Sequence, residues 1–371
     1  MKKKIFIIII FLLCLLLFPT IGVSAREKES LENFSGKDEL WNSLPDEVDQ
    51  GLLRELLEES STNSFSEKLW NSILSFLSVG FREGLTMLAK LCALLLIAAL
   101  FQALKDSFGF TLGESALGFL LPLCTSFIVF SSLQSCLTLA SRTIQAVHSF
   151  FLASLPVTTI LLTLSGSPSA AGTMASSLSF AITSVSTLIS VYLSPLLNTL
   201  FAFSALDGIL DGGLSGFLAF LRKTVKVLCV LFFIVISATL ALQNALATAA
   251  DSVAMRSVRF AAGTFIPVVG SLVGESSKTL AASFSAVKTE CGVLCLLVLL
   301  YVSLRPILYI AVQKLFIGLA NAFAQLLGEK TMQGFLNSIS GLLDLLQALI
   351  ISQGCYLVFY VTLFITNRGG A

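Results

Sequence analysis

Few side chains in this sequence are suited to catalysis or metal binding. Histidine occurs once in 371 residues, at His148, so a histidine-based metal site or a Ser-His-Asp triad lacks the residues it requires. We expect His148 to lie on the polar side of an amphipathic connector at 142–151, facing water or lipid headgroups. The chain also has no phosphate loop ending in Lys-Ser/Thr and no Gly-x-Ser-x-Gly elbow. These patterns predict a non-enzymatic protein without a cofactor.

Two further pairs of reactive residues have simpler structural explanations. Asp207 and Asp211 are one helical turn apart, as an intramembrane aspartyl enzyme would need, but glycines surround them. We interpret them as part of a loop or a packing turn. Cys291 and Cys295 share a helix face, yet two thiolates without further ligands make a poor metal site. We expect both thiols to pack inside the protein.

The composition sets the fold class. Hydrophobic residues make up 56% of the chain and charged residues only 12%, with a mean hydropathy of +0.91, whereas soluble domains carry about a quarter charged residues. This excludes an ordinary soluble domain and a disordered chain, and it predicts an all-α, polytopic helical membrane protein. We expect roughly six to eight spans, from the charge-poor runs at 85–104, 115–141, 143–206, 227–250, 291–304, 315–328 and 345–367.

The N-terminus has the pattern of a targeting signal. Three lysines at 2–4 precede an apolar run at 5–18, and Val23-Ser24-Ala25 supplies small residues for a signal peptidase. We therefore predict that residues 1–25 are a signal peptide, cleaved after Ala25. The alternative is a retained first transmembrane helix, but 14 apolar residues fall short of the roughly 20 needed to span a bilayer.

Charge divides the rest of the chain into two predicted parts. Residues 26–83 contain 6 Lys/Arg and 13 Asp/Glu, and we predict an acidic extracytoplasmic segment of amphipathic helices. Residues 84–371 form the predicted multi-pass transmembrane domain. Its strongest basic cluster, Arg222, Lys223 and Lys226, should face the cytoplasm. An odd number of crossings must then separate this cluster from the acidic segment.

The uncharged run at 143–206 is too long for one crossing. Its 64 residues would measure roughly 96 Å as a helix, against a hydrocarbon core of about 30 Å. Because five prolines and glycines interrupt the run, we expect broken or re-entrant helices that fold back; they are Pro156, Gly166, Pro168, Gly172 and Pro195.

A second unusual stretch lies at 260–288, between two strong spans. It is too polar for a lipid-facing helix, and Lys288 and Glu290 flank it. We predict a broken or re-entrant hairpin facing the bundle interior, with an extramembrane loop as the alternative. The charged residues Glu275 and Lys278 within the stretch mark either a functional site or an interfacial anchor. The candidate pore and hairpin residues of the two stretches are Pro156, Pro267, Gly263, Gly270, Gly274, Glu275 and Lys278.

The two stretches also match each other. An offset of 111 residues places Pro156 on Pro267 and Pro195 on Pro306, with twelve identities in 51 ungapped positions. This predicts an internal repeat, an architecture found in transporters. It supports a stand-alone small-solute permease as an alternative function.

An amphipathic stripe precedes the last apolar run. Its polar positions lie opposite its apolar ones, so we expect an interfacial helix on the membrane surface. The apolar positions are Met332, Phe335, Leu336, Ile339, Leu342 and Leu343.

One stretch resembles a known family. The sequence RSVRF at 256–260, followed by GTFIPVVG at 263–270 and continuing to Ser283, is similar to stage III sporulation protein AE of endospore-forming bacteria. The order of signal peptide, acidic helices and polytopic core resembles the same family.

The resemblance implies a function and a location. The family is a multi-pass component of the mother-cell membrane around the forespore, within a secretion-like channel complex needed for late forespore development. The implied partners are the other membrane proteins of that sporulation complex, the lipid bilayer and further copies of the chain, and no nucleic acid is expected. The family has no established catalytic residues to assign here.

Overall fold

The described part of the chain is helical. The computed structural model describes the backbone of residues 62–108, 114–209, 213–265 and 269–367. The predicted signal peptide and the acidic residues 26–61 lie outside these ranges. Within them the chain forms seven α-helices and one short π-helix: α1 (Thr62–Phe108), α2 (Glu114–Leu164), α3 (Pro168–Thr187), the π-helix (Leu188–Leu193), α4 (Ser194–Ile209), α5 (Ser215–Phe265), α6 (Val269–Leu326) and α7 (Lys330–Thr366).

The predicted all-α membrane class is confirmed. Six segments of the described chain are long and apolar enough to cross a bilayer. They are fewer than the seven charge-poor runs because the runs at 291–304 and 315–328 lie in one helix, α6. The six segments are Ile73–Leu100, Leu120–Leu164, Pro168–Asp207, Ser215–Ala254, Phe284–Leu326 and Met332–Thr366.

The helices alternate in direction, and their contacts define two ends of the bundle. Arg222 on α5 donates to the Ser338 carbonyl on α7, and Asn244 further along α5 accepts from Asn367 at the end of α7. These helices are therefore parallel, and α6 runs back between them. We call the end with Arg222 the basic end and the opposite end the Asn367 end. Helix α1 runs parallel to α6, since Phe76 contacts Tyr301 and Phe81 contacts Phe316 further along α6, and α1 therefore begins toward the Asn367 end.

Two glycines make the tight reversals between helices. Gly166 (φ 88°) and Gly328 (φ 79°) have positive φ, which glycine adopts without steric cost. After α2, Ser167 N–H donates to the Leu162 carbonyl at 3.0 Å, and after α6, Glu329 N–H donates to the Ala324 carbonyl at 3.1 Å. Both are the six-to-one bonds of the Schellman motif, which satisfies helix-end carbonyls.

The long uncharged run folds back, as predicted, but not at Pro156. That proline lies inside the continuous helix α2, and the reversal occurs ten residues later, at Gly166. Membrane helices tolerate internal proline because neighbouring groups adjust to the lost hydrogen bond. Pro195 has a different effect: the π-helix Leu188–Leu193 lies directly before it, which is a usual response to a proline in a helix.

The structure leaves the internal repeat unconfirmed. Under the 111-residue offset, the turn at Gly166 would correspond to Ser277, but Ser277 lies within the helical backbone of α6. The predicted domain boundary at 83/84 likewise falls inside α1, so no break in the backbone marks it.

The amphipathic stripe of α7 packs inside the protein, so the expected interfacial helix is wrong. The stripe continues without interruption into the last apolar segment, as one helix of 37 residues. Phe335 contacts the ring of Phe201 on α4 at 6.4 Å between centroids. The polar positions suggested contact with water, but two of them bind the neighbouring helix α6: Asp344 binds Lys314, and Asn337 accepts from Asn321. All six apolar stripe residues are at most 1% exposed: Met332, Phe335, Leu336, Ile339, Leu342 and Leu343.

The Gly166 turn gives a stability prediction. Gly166→Ala should lower the free energy of unfolding by about 1–2 kcal/mol, because an L side chain at positive φ clashes with its own backbone. The matched control is Gly172→Ala, where an added Cβ meets nothing within 4 Å and alanine favours the helix. Denaturant unfolding of the purified chain in detergent, followed by circular dichroism, measures both. Equal stability of the two variants would contradict the role of the turn.

Candidate functional site

A cluster of buried polar residues closes the Asn367 end of the bundle. We call it the polar cluster. It collects side chains from the α2–α3 turn, from α5 and α6, and from the end of α7. Apart from the half-buried Thr248, its members are at most 9% exposed. They are Ser167, Asn244, Thr248, Asp251, Lys288 and Asn367.

Asn367 is the hub of the cluster. Its Nδ2 donates to Asn244 Oδ1 at 3.1 Å, and its Oδ1 lies 3.4 Å from the hydroxyls of both Ser167 and Thr248. Its main-chain oxygen accepts from the Lys288 ammonium. One asparagine thus bonds to the α2–α3 turn, α5 and α6, and its own N–H donates to the Leu363 carbonyl at 3.0 Å. The residue that caps the C-terminus of α7 is therefore held by three other elements.

Asp251 caps helix α3 from a different helix. Its Oδ1 accepts from Ser169 N–H and its Oδ2 from Ala170 N–H, both at 2.9 Å. The first N–H groups of a helix have no intrahelical partner, and a negative charge there also complements the helix dipole. The local N-cap residue, Ser167, makes no side-chain cap bond to α3. A carboxylate on α5 therefore satisfies α3 and fixes the two helices to each other.

Two buried ionisable residues, Lys288 of the cluster and the nearby Glu290, lie near the start of an apolar segment of α6. Lys288 is 0% exposed and Glu290 4% exposed, within the candidate span Phe284–Leu326. Residues two apart on a helix point to different sides, so these side chains contact different neighbours. Charged groups at membrane depth are costly and are retained chiefly for function or for pairing. Lys288 and Glu290 are thus the ionisable residues of the described chain with the strongest case for a functional role.

His148 lies in the protein interior, so the prediction that it faces water or headgroups is wrong. The connector is the middle of helix α2, and His148 is 3% exposed. Its Nδ1 is 2.8 Å from Ser186 Oγ and its Nε2 3.1 Å from Gln353 Nε2. With the Gln353 amide in this orientation, its nitrogen can only donate, which fits a neutral imidazole that accepts at Nε2 and carries its proton on Nδ1. His148 thus joins α2, α3 and α7.

The remaining chemical candidates are structural in the described chain. Asp207 Oδ1 accepts from Leu214 N–H at 2.6 Å and closes the turn between α4 and α5, as expected; Asp211 lies outside the described residues. Cys291 and Cys295 are buried free thiols, which agrees with the packing interpretation. Across the part of the chain that the structure describes, no group of three metal-ligating side chains occurs.

The candidate hairpin residues are placed only by their backbone. Pro267 lies outside the described residues. Gly263 lies in the last turns of α5, while Gly270 and Gly274 lie at the start of α6 with Glu275 and Lys278. The interruption at 266–268 is flanked by helix on both sides. Whether this hairpin is re-entrant stays a prediction, as does the pore role of all seven candidates, Pro156 included.

Sequence reasoning missed most of the polar cluster. Asp251 and Asn367 were used only to mark where apolar runs end, at 250 and 367. One signal was available: in a bundle of alternating helices, the C-terminal ends of the apolar runs before Asp251 and Asn367 lie at the same end as the start of the run that follows Lys288 and Glu290. A polar residue at the end of a run has two explanations, contact with water or contact with another buried group, and one sequence does not distinguish them.

The fold and the cluster together define a polytopic helical membrane protein. The family described as "Stage III sporulation protein AE (spore_III_AE)" matches residues 50–367, which is most of the chain, and the chain therefore belongs to this family. The chain is similar to stage III sporulation protein AE of Bacillus subtilis (strain 168), with 24% identity over 344 residues that cover 90% of this chain and 84% of the relative. No solved structure matches it.

The capping role of Asp251 can be measured. Asp251→Ala should lower the free energy of unfolding by about 2 kcal/mol, because it leaves two N–H groups without an acceptor. Asp251→Asn, with one acceptor oxygen, should cost about half as much. Ser257→Ala, at an exposed position of the same helix, is the control and should stay within about 0.5 kcal/mol. Denaturant unfolding in detergent gives the values; an Asp251→Ala variant as stable as the control would exclude the capping role.

Proposed function

We propose that this protein is a non-enzymatic integral membrane component of a sporulation channel. It belongs to a secretion-like complex that links mother cell and forespore and is required for late forespore development. The observation that carries the proposal is a buried polar cluster at one end of an apolar six-segment bundle, which contains the ionisable residues Asp251 and Lys288 and has the buried Glu290 beside it. Membership of a stage III sporulation family supports the cellular process. The proposed partners are other membrane proteins of the same complex and further copies of the chain.

The charges of the bundle support one orientation. The basic end carries Arg222, Lys223 and Lys226, and basic residues favour the cytoplasmic side. Three apolar segments separate the start of α1 from these basic residues. This is the odd number of crossings that an extracytoplasmic N-terminus requires. We therefore assign the basic end to the mother-cell cytoplasm and the Asn367 end to the opposite side of the membrane.

Helices α5 and α6 continue past the polar cluster. Helix α5 extends 14 residues beyond Asp251, and α6 begins 19 residues before Lys288, so the extensions measure about 21 Å and 28 Å. We call residues 252–265 and 269–287 the arm. In the proposed orientation the arm lies outside the mother-cell cytoplasm, on the forespore-facing side. It contains the stretch that resembles the family most and most of the candidate hairpin residues.

The orientation yields a labelling prediction. Ser257→Cys in the arm and Lys223→Cys at the basic end are both at exposed positions. In intact cells that express the chain, a membrane-impermeant maleimide should label Ser257→Cys above the level of the unmodified protein and should label Lys223→Cys only after the cells are permeabilised. The opposite pattern would reverse the assignment of the two ends.

Deletion of the gene tests the proposed function. In the sporulating host, we expect the deleted strain to lose heat-resistant spores and late forespore transcription, and the wild-type gene to restore both. An arm variant, Glu275→Gln with Lys278→Gln, should fail to restore them although it reaches the membrane at the wild-type level. The charge control is Lys90→Gln, at an exposed position of α1, which should complement fully. Normal spores and normal late transcripts in the deleted strain would refute the proposal.

A stand-alone small-solute permease is the second candidate. The buried pair Lys288 and Glu290 favours it, because ionisable residues at membrane depth often mark substrate or ion paths. The two functions differ in their dependence on partners. Purified protein that transports a defined solute in liposomes on its own would favour the permease. Co-purification with other sporulation membrane proteins, and inactivity without them, would favour the channel component.

A further inference from the structure

An elongated cavity of about 700 Å³ lies between α5 and α7, and its lining on α5 ends at Ala241, three residues before Asn244 of the polar cluster. Its lining runs from Lys226 to Ala241 on α5 and from Asp344 to Phe359 on α7. Fifteen residue steps on each parallel helix give a length of about 22 Å. One leaflet of the hydrocarbon core is about 15 Å thick. The cavity is therefore long enough to extend through a full leaflet from the basic end.

The walls of the cavity are apolar over most of its length. Phe233 and Ile234 on α5 face Ile351 and Phe359 on α7. The cavity also opens sideways, because Ile234 is 58% exposed and Cys355 is exposed. A long apolar groove that opens toward the side of the bundle is accessible from the lipid phase.

The basic end of the cavity offers hydrogen-bond donors and positive charge. Lys226 is half-buried there and makes no hydrogen bond or ion pair with the described residues. Gln347 is 8% exposed, and its buried side-chain nitrogen has no acceptor among the residues that the structure describes. Asp344 lines the same end, but its carboxylate binds Lys314. Two ammonium groups against one carboxylate leave a positive site, with Lys223 close by on α5.

We propose that this cavity binds one anionic glycerophospholipid. The phosphate accepts from Lys226, an ester oxygen accepts from Gln347 one helical turn deeper, and one acyl chain lies along the apolar walls. Basic pockets between membrane helices on the cytoplasmic side bind anionic headgroups, and a donor-only set of unpaired groups requires acceptor oxygens. This inference concerns a lipid site on the isolated chain and does not depend on the proposed channel function.

The test is lipid retention by the full-length chain. The protein is reconstituted in nanodiscs of phosphatidylglycerol and phosphatidylcholine, extracted in mild detergent, and its bound lipid is counted by native mass spectrometry. We expect one retained phosphatidylglycerol. Lys226→Gln should lower that retention about fivefold, the effect of one basic side chain on an anionic lipid, and Gln347→Leu should lower it as well. Lys90→Gln, which removes an exposed charge elsewhere, should not.

Two further variants test the acyl chain. Ala238→Trp places bulk in the cavity and should abolish retention, whereas Leu242→Trp, on the exposed side of the same helix, should leave it unchanged. Tyr356 lines the cavity with a hydroxyl that has no hydrogen-bond partner within the described part of the chain. Tyr356→Phe should retain the lipid, because an acyl chain needs no hydrogen bond there.

The outcomes separate the lipid from other occupants. Equal retention of the two lipids, or retention that Ala238→Trp and Lys226→Gln leave intact, would mean that the lipid is only annular and would overturn the proposal. A loss of retention in Tyr356→Phe would indicate a more polar occupant and would also overturn it. Each variant is compared at matched circular dichroism, so that a folding defect is not counted as lost binding.

Discussion

The bundle depends on satisfying polar groups at the Asn367 end without water. Membrane-spanning structure must pair its backbone and side-chain polar groups internally. Asp251 supplies both acceptors for the start of α3, and Asn367 bonds to the α2–α3 turn, α5 and α6. These few bonds link four elements that apolar packing alone would leave free to slide, because apolar contacts between helices in lipid are not directional.

The same constraint shapes the rest of the architecture. With α5, α6 and the end of α7 fixed together, α5 and α7 run parallel from the basic end, and the groove between them starts at Lys226 and Asp344. The arm extends from the opposite side of the cluster. The two ends therefore differ: donors and positive charge lie at one, a mutually bonded polar cluster lies below the arm at the other, and the His148 contacts lie between them. The proposed orientation and the proposed lipid site both follow from this division.

Much of the fold was predictable because composition reflects the bilayer. The charge-poor runs predicted the helical class, and the length of 143–206 predicted that it folds back. Among the prolines and glycines of the run, the one that turns the chain was not predictable: Pro156 is the stronger helix breaker in solution, yet a packed membrane helix accepts it, and Gly166 makes the turn. His148 and the α7 stripe were assigned to the surface because their own segments are amphipathic. Their polar partners, Ser186, Gln353 and Lys314, are distant in sequence.

The central claim is that the cluster couples α5 to the end of α7 through direct bonds. A double-mutant cycle of Asn244→Ala and Asn367→Ala measures this from the unfolding free energies of the two single variants and the double variant. The account predicts a favourable coupling of about 0.5–3 kcal/mol. The control cycle replaces Asn367→Ala with Asn321→Ala, near the basic end, and should be additive. Additivity of the Asn244 and Asn367 variants would contradict the account.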